Sequence, residues 1–350
     1  MLSSRKQAIL KTIIEQYVVQ AVPVPSQQIA KEFESAISSA TVRNEMAYLE
    51  QEGYIMRPHT SAGSVPSDKG YRYYVETLDG TSMPISERVL INHLFHQVED
   101  EVENWLSLAV TTLAQMTRTV ALVSMPKTNY SRFKHIELVS LQDLLVLVVF
   151  VMYGARVKQQ LISLTDPIDQ TDLNKITNKL NDVYFGMNRE QISSYNTDLS
   201  ILEKSIRDYL LRIMQIEDEP DSEEAYLEGW HFLLHQPEFE QTNRIVGLME
   251  LAEHRNLLRT ILPMQMPSQG IKVVIGKENE VQTIQDYSII IGRYGLEGEA
   301  VGTVGVVGPT RMQYARNLSV VSYLISILND LVSDLYDKKS TTTTTKVSIS

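Results

Sequence analysis

Residues 38–75 read SSATVRNEMAYLEQEGYIMRPHTSAGSVPSDKGYRYYV, and this stretch decides the fold of the N-terminal part of the chain. Its first third predicts a helix that Ser38 or Ser39 can cap, because a serine side chain accepts a hydrogen bond from the free N–H groups of a first helical turn. Gly53 stands where a left-handed residue commonly ends a helix. Apolar residues recur at three- and four-residue steps and form one stripe along the helix. The stripe consists of Val42, Met46 and Leu49.

The side of this helix opposite the stripe is polar and has small residues. Asparagine and glutamine can each form two hydrogen bonds with an adenine edge, arginine can do the same with guanine, and alanine lets a backbone approach closely. These residue types therefore suit a DNA major groove, although any surface helix can have a polar outer face. A turn of about 100° per residue places on this side Ala40, Asn44, Ala47 and Gln51, and on its flanks Thr41, Arg43 and Tyr48.

A predicted hairpin after this helix strengthens the DNA hypothesis. Residues 54–66 read as a strand, a turn and a return strand, and Ser67 can cap a further helix. Upstream, 5–20 and 26–33 read as two more helices, the second capped by Ser26. Three helices followed by a hairpin predict a winged helix-turn-helix. Side chains that this core does not need, and that suit phosphates or the minor groove, are Arg57, His59, Thr60, Ser61, Lys69 and Arg72.

Two blocks of sequence resemble the HrcA family of heat-inducible transcription repressors. The first block runs from Thr41 and includes PHTSAG at 58–63 and DKGYRYYV at 68–75. The second block is GTVGVVGPTRMQYAR at 302–316. Since the two blocks lie near opposite ends, the resemblance spans residues 1–337. The chain departs from the family pattern at Gln27, Ser64 and Ser67.

The resemblance implies a GAF-like domain that carries an inserted dimerisation domain. It also implies an operator in front of chaperone genes and a chaperonin that helps the repressor to fold or to stay active. We therefore expect an α+β multidomain chain: a winged helix-turn-helix at 1–80, a GAF-like α/β domain at 85–141 and 223–337, the inserted dimerisation domain at 142–222, and a disordered tail at 338–350.

The pattern of the remaining residues predicts the same plan of strands, helices and strands again. A long helix at 86–117 has two seven-residue apolar series, which suit either an intramolecular core or a dimer seam. Residues 169–262 read as mostly helical, and Thr310 as the N-cap of a final helix that runs to 336. Strands are predicted at 119–125, 135–141, 144–151, 156–164, 271–276, 287–293 and 300–307.

Charge and composition limit the classes of protein to consider. The 350 residues allow two or three domains, and the net charge is −11. Residues 1–75 carry a net charge of +1 and the rest −12, so the acidic residues belong to the body. A single weakly basic domain would bind DNA weakly, because affinity depends on the number of phosphates neutralised, and this favours a homodimer.

Other features of the sequence favour a cytoplasmic protein. The chain has no cysteine, which excludes disulfides and thiolate chemistry. No signal peptide is predicted at its start. The longest apolar run, 144–152, is too short for a membrane span, which needs about 20 residues.

Two patterns resemble enzyme sites without fitting them. A series of glycines between 292 and 308 lacks the strand-to-helix junction of a phosphate loop, so we interpret it as a tightly packed hairpin. His231 and His235, near Glu224, Glu228 and Glu238, are four residues apart, but such pairs are usually solvated or packed. We expect no catalytic residue, metal or cofactor.

The sequence therefore predicts a homodimeric repressor whose two winged helices bind an inverted-repeat operator of double-stranded DNA. Thr41, Arg43 and Asn44 are the candidates for base contacts. An alternative is a regulator whose GAF-like domain senses a small molecule. The further candidates for contact with the DNA are Ser39, Tyr48, Arg57, His59, Thr60, Ser61, Lys69 and Arg72.

Overall fold

The computed structural model divides the chain into two compact units. The first comprises residues 1–124, 225–294 and 303–328, and the second 125–224, 295–302 and 329–350. The residues that the structure describes are 2–33, 38–59, 62–78, 82–98, 101–127, 131–153, 157–164, 166–195, 198–218, 225–239, 246, 248–250, 270–296 and 300–344.

The first unit begins with four helices and a short sheet. The three predicted helices are confirmed, and the predicted hairpin contains an antiparallel pair of two-residue strands. Ser26 does not cap the second helix: Pro25 occupies the N-cap position, and no side chain bonds there. The elements are α1 (Ser4–Gln20), α2 (Ser26–Glu32), α3 (Ser39–Gln51), β1 (Ile55–Met56), β2 (Val65–Pro66) and α4 (Asp68–Glu76).

The predicted long helix is two helices, α5 (Ile85–His96) and α6 (Val102–Thr117). Three consecutive acidic residues, 99–101, fall at the break. Acidic side chains repel one another within a helix and are favoured just before or within a first turn, so the chain ends one helix and begins another there. Of the two alternatives, the side chains support the core: Ile91, Phe95, Trp105 and Ala109 of the two apolar series are buried.

A five-stranded sheet follows in the first unit, with the strands β3 (Val120–Ser124), β7 (Ala225–Glu228), β8 (Ile271–Ile275), β9 (Tyr287–Leu296) and β10 (Ala300–Pro309). Their order in the sheet is β7-β3-β10-β9-β8. Its core lies between the sheet and short flanking segments, and includes Val120, Ile289 and Val307. The strand β7 was missed in the sequence, because it is a four-residue edge strand that only its pairing with β3 makes visible. A short helix, α10 (Trp230–Leu234), follows β7.

The second unit contains a three-stranded antiparallel sheet, and the predicted strands there are confirmed. Its first strand pairs with the second along its length, so a boundary at 142 would separate a strand from its sheet. The inner face packs on helices through Leu138, Val148 and Leu210, among others. The elements are β4 (Phe133–Gln142), β5 (Leu145–Met152), β6 (Val157–Ser163), α7 (Gln170–Tyr184), α8 (Arg189–Ser194) and α9 (Ile201–Asp218).

The outer face of the three-stranded sheet is also rich in apolar residues. Along β5, buried and half-buried residues alternate, as expected when the two faces differ in their surroundings. Leu147 pairs with Val139 on one side and with Leu161 on the other, so a row of apolar side chains crosses all three strands. Val139 is 36% and Leu161 51% exposed. We call this surface the outer sheet face: Val139, Leu147, Val149, Val151, Val157 and Leu161.

The final helix, α11 (Tyr314–Thr344), differs from its prediction at both ends. Thr310 is not its N-cap, because β10 continues to Pro309 and a turn precedes Tyr314. The helix also runs into the segment predicted to be disordered, since each residue added to a formed helix brings its own hydrogen bond. Residues 345–350 lie outside the described part. Among the described helices, none has the length and apolar character to cross a membrane.

Candidate nucleic-acid interface

The candidate recognition helix α3 is anchored by its apolar stripe. Val42 and Leu49 are fully buried and Met46 is 2% exposed. Ser38 caps the first turn by accepting a hydrogen bond from the Thr41 N–H at 3.2 Å. Gly53 has a φ of +75°, so it occupies the left-handed position that the sequence predicted. The helix is therefore fixed at both ends and along one face.

The opposite face of α3 is open to solvent. Ala40, Arg43, Asn44, Ala47 and Gln51 are all exposed. With the other described residues, the Arg43 and Asn44 side chains form no hydrogen bond or ion pair, so their donors are free for a ligand. Of the remaining candidates on this helix, Ser39 is exposed, and Thr41 is half-buried with its hydroxyl 2.9 Å from that of Ser38.

One flank of α3 lies beside basic side chains at the start of α1, which the sequence analysis did not select. The Lys6 ammonium lies 3.7 Å from the centre of the Tyr48 ring. Arg5 and Lys6 each approach the Glu45 carboxylate at 3.7 Å. In the sequence, Arg5 and Lys6 show only that the amphipathic helix α1 begins with positive charge. Their position beside α3 follows from the packing of α1 against α3.

The hairpin after α3 is joined to a third short segment, which lies between α1 and α2. Val24 and Ser64 exchange two backbone hydrogen bonds of 2.8 and 2.9 Å. At Gly63 any side chain would collide with the backbone, since a Cβ there would lie 2.5 Å from the carbonyl carbon of Val24. Arg57 pairs with Glu50 of α3 at 3.2 Å, and His59 is exposed. The predicted contacts Thr60 and Ser61 lie outside the described residues.

The start of α4 contacts the end of α3. The Lys69 ammonium donates to the Glu52 carbonyl oxygen at 2.7 Å and lies 4.4 Å from the centre of the Tyr54 ring. Lysine offers three donors, so Lys69 can bind a phosphate while keeping this bond. Arg72, one turn further, has a different environment: its Nε donates to a Glu278 carboxylate oxygen at 2.8 Å and its Nη2 to the Val273 carbonyl oxygen at 2.7 Å.

These contacts separate the predicted residues into two groups. The first group lies on or near α3: its exposed face, Arg57 and His59 of the hairpin that follows it, and Lys69, which bonds Glu52 just after its end. Arg72 forms the second group. The guanidinium of Arg72 is held by Glu278, and their hydrogen bond raises the pKa of Arg72. It would have to leave Glu278 to reach a phosphate.

The Ser67 hydroxyl links α4 to α3, and its removal should loosen both. The hydroxyl donates to the Gly53 carbonyl oxygen at 2.6 Å and accepts from the Gly70 N–H at 3.1 Å. Ser67→Ala should destabilise the start of α4 by about 1 kcal/mol, the usual value of an N-cap. Hydrogen exchange of peptides that cover 68–76 would show it as faster exchange, whereas Ser67→Thr should retain slow exchange. Equal exchange rates in wild type and Ser67→Ala would contradict this role.

The glycine series and the histidine pair, which resembled enzyme sites, both make close contacts with the backbone. The described glycines of the series lie in the adjacent strands β9 and β10, where a Cβ on Gly305 would lie 2.6 Å from the Ile290 carbonyl oxygen. Gly298 lies outside the described residues. His235 Nδ1 lies 2.6 Å from the His231 carbonyl oxygen. No group of three potential metal ligands occurs in the part of the chain that the structure describes, and Glu224 lies outside it.

Comparison with known proteins identifies relatives over nearly the whole chain. Residues 103–318 match the family model of the HrcA protein C-terminal domain. A heat-inducible transcription repressor HrcA from Dehalococcoides mccartyi is 48% identical over 338 residues, which cover 97% of this chain and 98% of that relative. The protein of the same name from Herpetosiphon aurantiacus is 38% identical, with 97% of each chain covered. A crystal structure described as a hypothetical protein has a TM-score of 0.59 at 25% identity, and covers 95% of this chain and 98% of its own.

Proposed function

Because the chain belongs to the HrcA family, whose members are named heat-inducible transcription repressors, we propose that it represses transcription by binding an inverted-repeat DNA operator as a homodimer. The observation that carries the proposal is the free polar face of α3. Arg43 and Asn44 are exposed, have unused donors and stand on a helix fixed by its buried stripe. A rigid helix with free donors is what base recognition in the major groove requires.

We assign the DNA contacts by position on this surface. Thr41, Arg43 and Asn44 contact base edges. Phosphate and minor-groove contacts come from residues that flank the helix or project from the hairpin, because such contacts position a protein without specifying sequence. The described residues in this second set are Ser39, Tyr48, Arg57, His59 and Lys69. Thr60 and Ser61, which lie outside the described residues, are proposed for it from the sequence alone.

The N-terminal residues 1–80 form, in this proposal, a winged helix-turn-helix whose wing is the β1–β2 hairpin. The five-stranded sheet and its helices form the GAF-like domain, and the three-stranded sheet with α7 to α9 forms the inserted dimerisation domain. The Val24–Ser64 bridge supports the first assignment, because it attaches a third short segment to the hairpin. A repressor of this kind works where the chromosome is, which places it in the cytoplasm.

The outer sheet face is the dimer surface in this proposal. Its row of apolar side chains crosses three strands, whereas the inner face is already covered by helices. Large exposed apolar patches mark interaction sites in soluble proteins. A second copy is the occupant expected here, because an inverted repeat is matched by a protein with twofold symmetry.

The same surface gives a physical reason for the proposed dependence on a chaperonin. Before two copies meet, the outer sheet face is exposed to water, and such a surface in an unassembled chain promotes aggregation. A chaperonin that protects this state would raise the amount of active repressor. When heat-damaged proteins occupy the chaperonin, repression would fall.

The experiment that tests the proposal measures binding of the purified full-length protein, with chaperonin present, to duplexes that carry inverted repeats from chaperone promoters. Footprinting should show protection of two half-sites, and scrambled duplexes of equal length should bind much more weakly. Equal binding to inverted repeats and scrambled duplexes would exclude a sequence-specific repressor.

Lys69→Ala should weaken binding to all duplexes alike. A lysine that contacts a phosphate contributes to affinity without specifying sequence, so its loss should reduce the slope of log K against log salt by about one per half-site. Titrations at several salt concentrations, on operator and on random DNA, measure this slope. Lys69→Arg keeps the charge and should keep the slope. A loss confined to the operator would instead place Lys69 at a base.

A further inference from the structure

The two sequence blocks that resemble the repressor family meet in the first unit. The block at 68–75 forms most of α4, and the block at 302–316 contains most of β10 and the start of α11. Tyr71 and Tyr314 are both buried, with ring centres 5.6 Å apart. The N-terminal helices therefore have a packed contact with the five-stranded sheet domain, on residues separate from the exposed face of α3.

Arg72 forms the most specific part of this contact. Its guanidinium bonds both carboxylate oxygens of Glu278 and also donates to the Val273 carbonyl oxygen of β8 at 2.7 Å. Glu278 is itself held in place, because one of its oxygens accepts the Ile275 N–H at 2.8 Å. Two parallel bonds between a guanidinium and a carboxylate fix direction as well as distance. A third bond, to a backbone carbonyl, attaches the arginine to the sheet.

Asp68, one helical turn before Arg72, contacts the same turn of the sheet domain. Its carboxylate accepts the Lys277 N–H at 3.0 Å. Gly276 has a φ of +52°, and a Cβ there would lie 2.5 Å from an Asp68 carboxylate oxygen. The backbone of the turn therefore approaches Asp68 more closely than a side chain would permit. We call the contacts of Asp68 and Arg72 with the 276–278 turn and Val273 the docking contact.

A second attachment lies at the end of α1. Arg311 donates to the Val18 carbonyl oxygen at 2.6 Å, to Glu238 at 2.6 Å and to Gln236 at 2.7 Å. Arg311 is only 10% exposed in its side chain. Two attachments on different helices restrain rotation of the N-terminal helices, which a single contact would not do.

We propose that Asp68 and Arg72 are positioning residues, which hold the DNA-binding helices on the GAF-like domain so that the two α3 helices of a dimer face half-sites of one defined spacing. This inference rests on the proposed function, because it assumes that α3 binds DNA. Arg72 acts on DNA through the orientation of its domain. A freely tethered domain loses orientational entropy when it binds the second half-site. A domain whose orientation is already fixed avoids this cost.

The first test measures the docking contact without DNA. The chain has no cysteine, so cysteines introduced at the exposed residues Lys31 and Thr283 can carry the only two spin labels. Labelled chains are diluted with an excess of unlabelled protein, so that the distance measured lies within one chain. The wild type should give one narrow distance distribution, and Glu278→Ala a broad one. Glu280→Ala, which removes an exposed acid two residues away, is the matched control and should leave the distribution narrow.

The second test measures the spacing of half-sites. The preferred operator is compared with one lengthened by about 5 base pairs, half a helical turn. The ratio of the affinities for the preferred and the lengthened operator should be about tenfold smaller in Glu278→Ala than in the wild type. In Glu280→Ala this ratio should equal that of the wild type. Binding to a duplex with a single half-site should be the same in wild type, Glu278→Ala and Arg72→Gln.

Each outcome decides the proposal. A narrow distance distribution in Glu278→Ala, an unchanged spacing preference, or higher operator affinity in that variant would overturn it. Weaker single half-site binding in Arg72→Gln but not in Glu278→Ala would make Arg72 a phosphate contact instead. If the wild type failed to bind any operator, the proposed function would fall, whereas the distance measurement would still show whether the domains are docked.

Discussion

Replacing Leu161 by aspartate should convert the proposed dimer into monomers and lower the affinity for an inverted-repeat operator by about 10²- to 10⁴-fold, the advantage that linked binding modules have over separate ones. Leu161 is 51% exposed and lies on the edge strand β6 of the outer sheet face, where it pairs with Leu147 of the central strand. A charge there would be buried without a partner in the dimer, but would remain hydrated in the monomer. Sedimentation velocity gives the oligomeric state, and titration of operator DNA gives the affinity.

The control for this prediction is Leu234→Asp. Leu234 is an equally exposed leucine, also at 51%, but it lies at the end of α10 in the first unit. Both variants should have the circular dichroism of the wild type, and only Leu161→Asp should be monomeric. If Leu161→Asp remains a dimer with full operator affinity, the dimer surface lies elsewhere.

Removing the Asn44 side chain should weaken operator binding by about 1–3 kcal/mol for each half-site, the usual cost of losing a paired contact with a base edge. Asn44 is exposed and its amide has no partner among the described residues, so Asn44→Ala should leave folding unchanged. The loss should be confined to the operator, because contacts with base edges do not contribute to binding of random DNA.

Asn104→Ala provides the matched control for this prediction. Asn104 is an exposed asparagine on α6, outside the proposed DNA surface. Competition titrations with operator and random duplexes should show equal affinities for wild type and Asn104→Ala. Equal losses of Asn44→Ala on both duplexes would remove Asn44 from the base-contacting residues.

Much of the secondary structure could be predicted because it depends on neighbours along the chain. In β5, alternate residues are buried, and the uninterrupted apolar run at 144–152 predicted that strand. The buried stripe on α3 follows from the helical period in the same way. The end of the helix could be predicted at Gly53, because glycine adopts the left-handed conformation found there. Where the pattern was short or weak, prediction failed. The four residues of β7 pair only with β3, and the extent of β10 is set by its pairing, so the start of α11 could not be placed from Thr310.

The sequence by itself determined which face of α3 is buried and which is open to solvent, since helical periodicity is a local property. The tertiary structure alone decided what the basic residues of the DKGYRYYV block do. Lys69 and Arg72 look equivalent in the sequence, yet one binds the end of α3 and the other binds Glu278, 206 residues away. The partner of a charged side chain depends on which distant segments the fold brings within about 3 Å, the length of a hydrogen bond, and no local pattern encodes that distance.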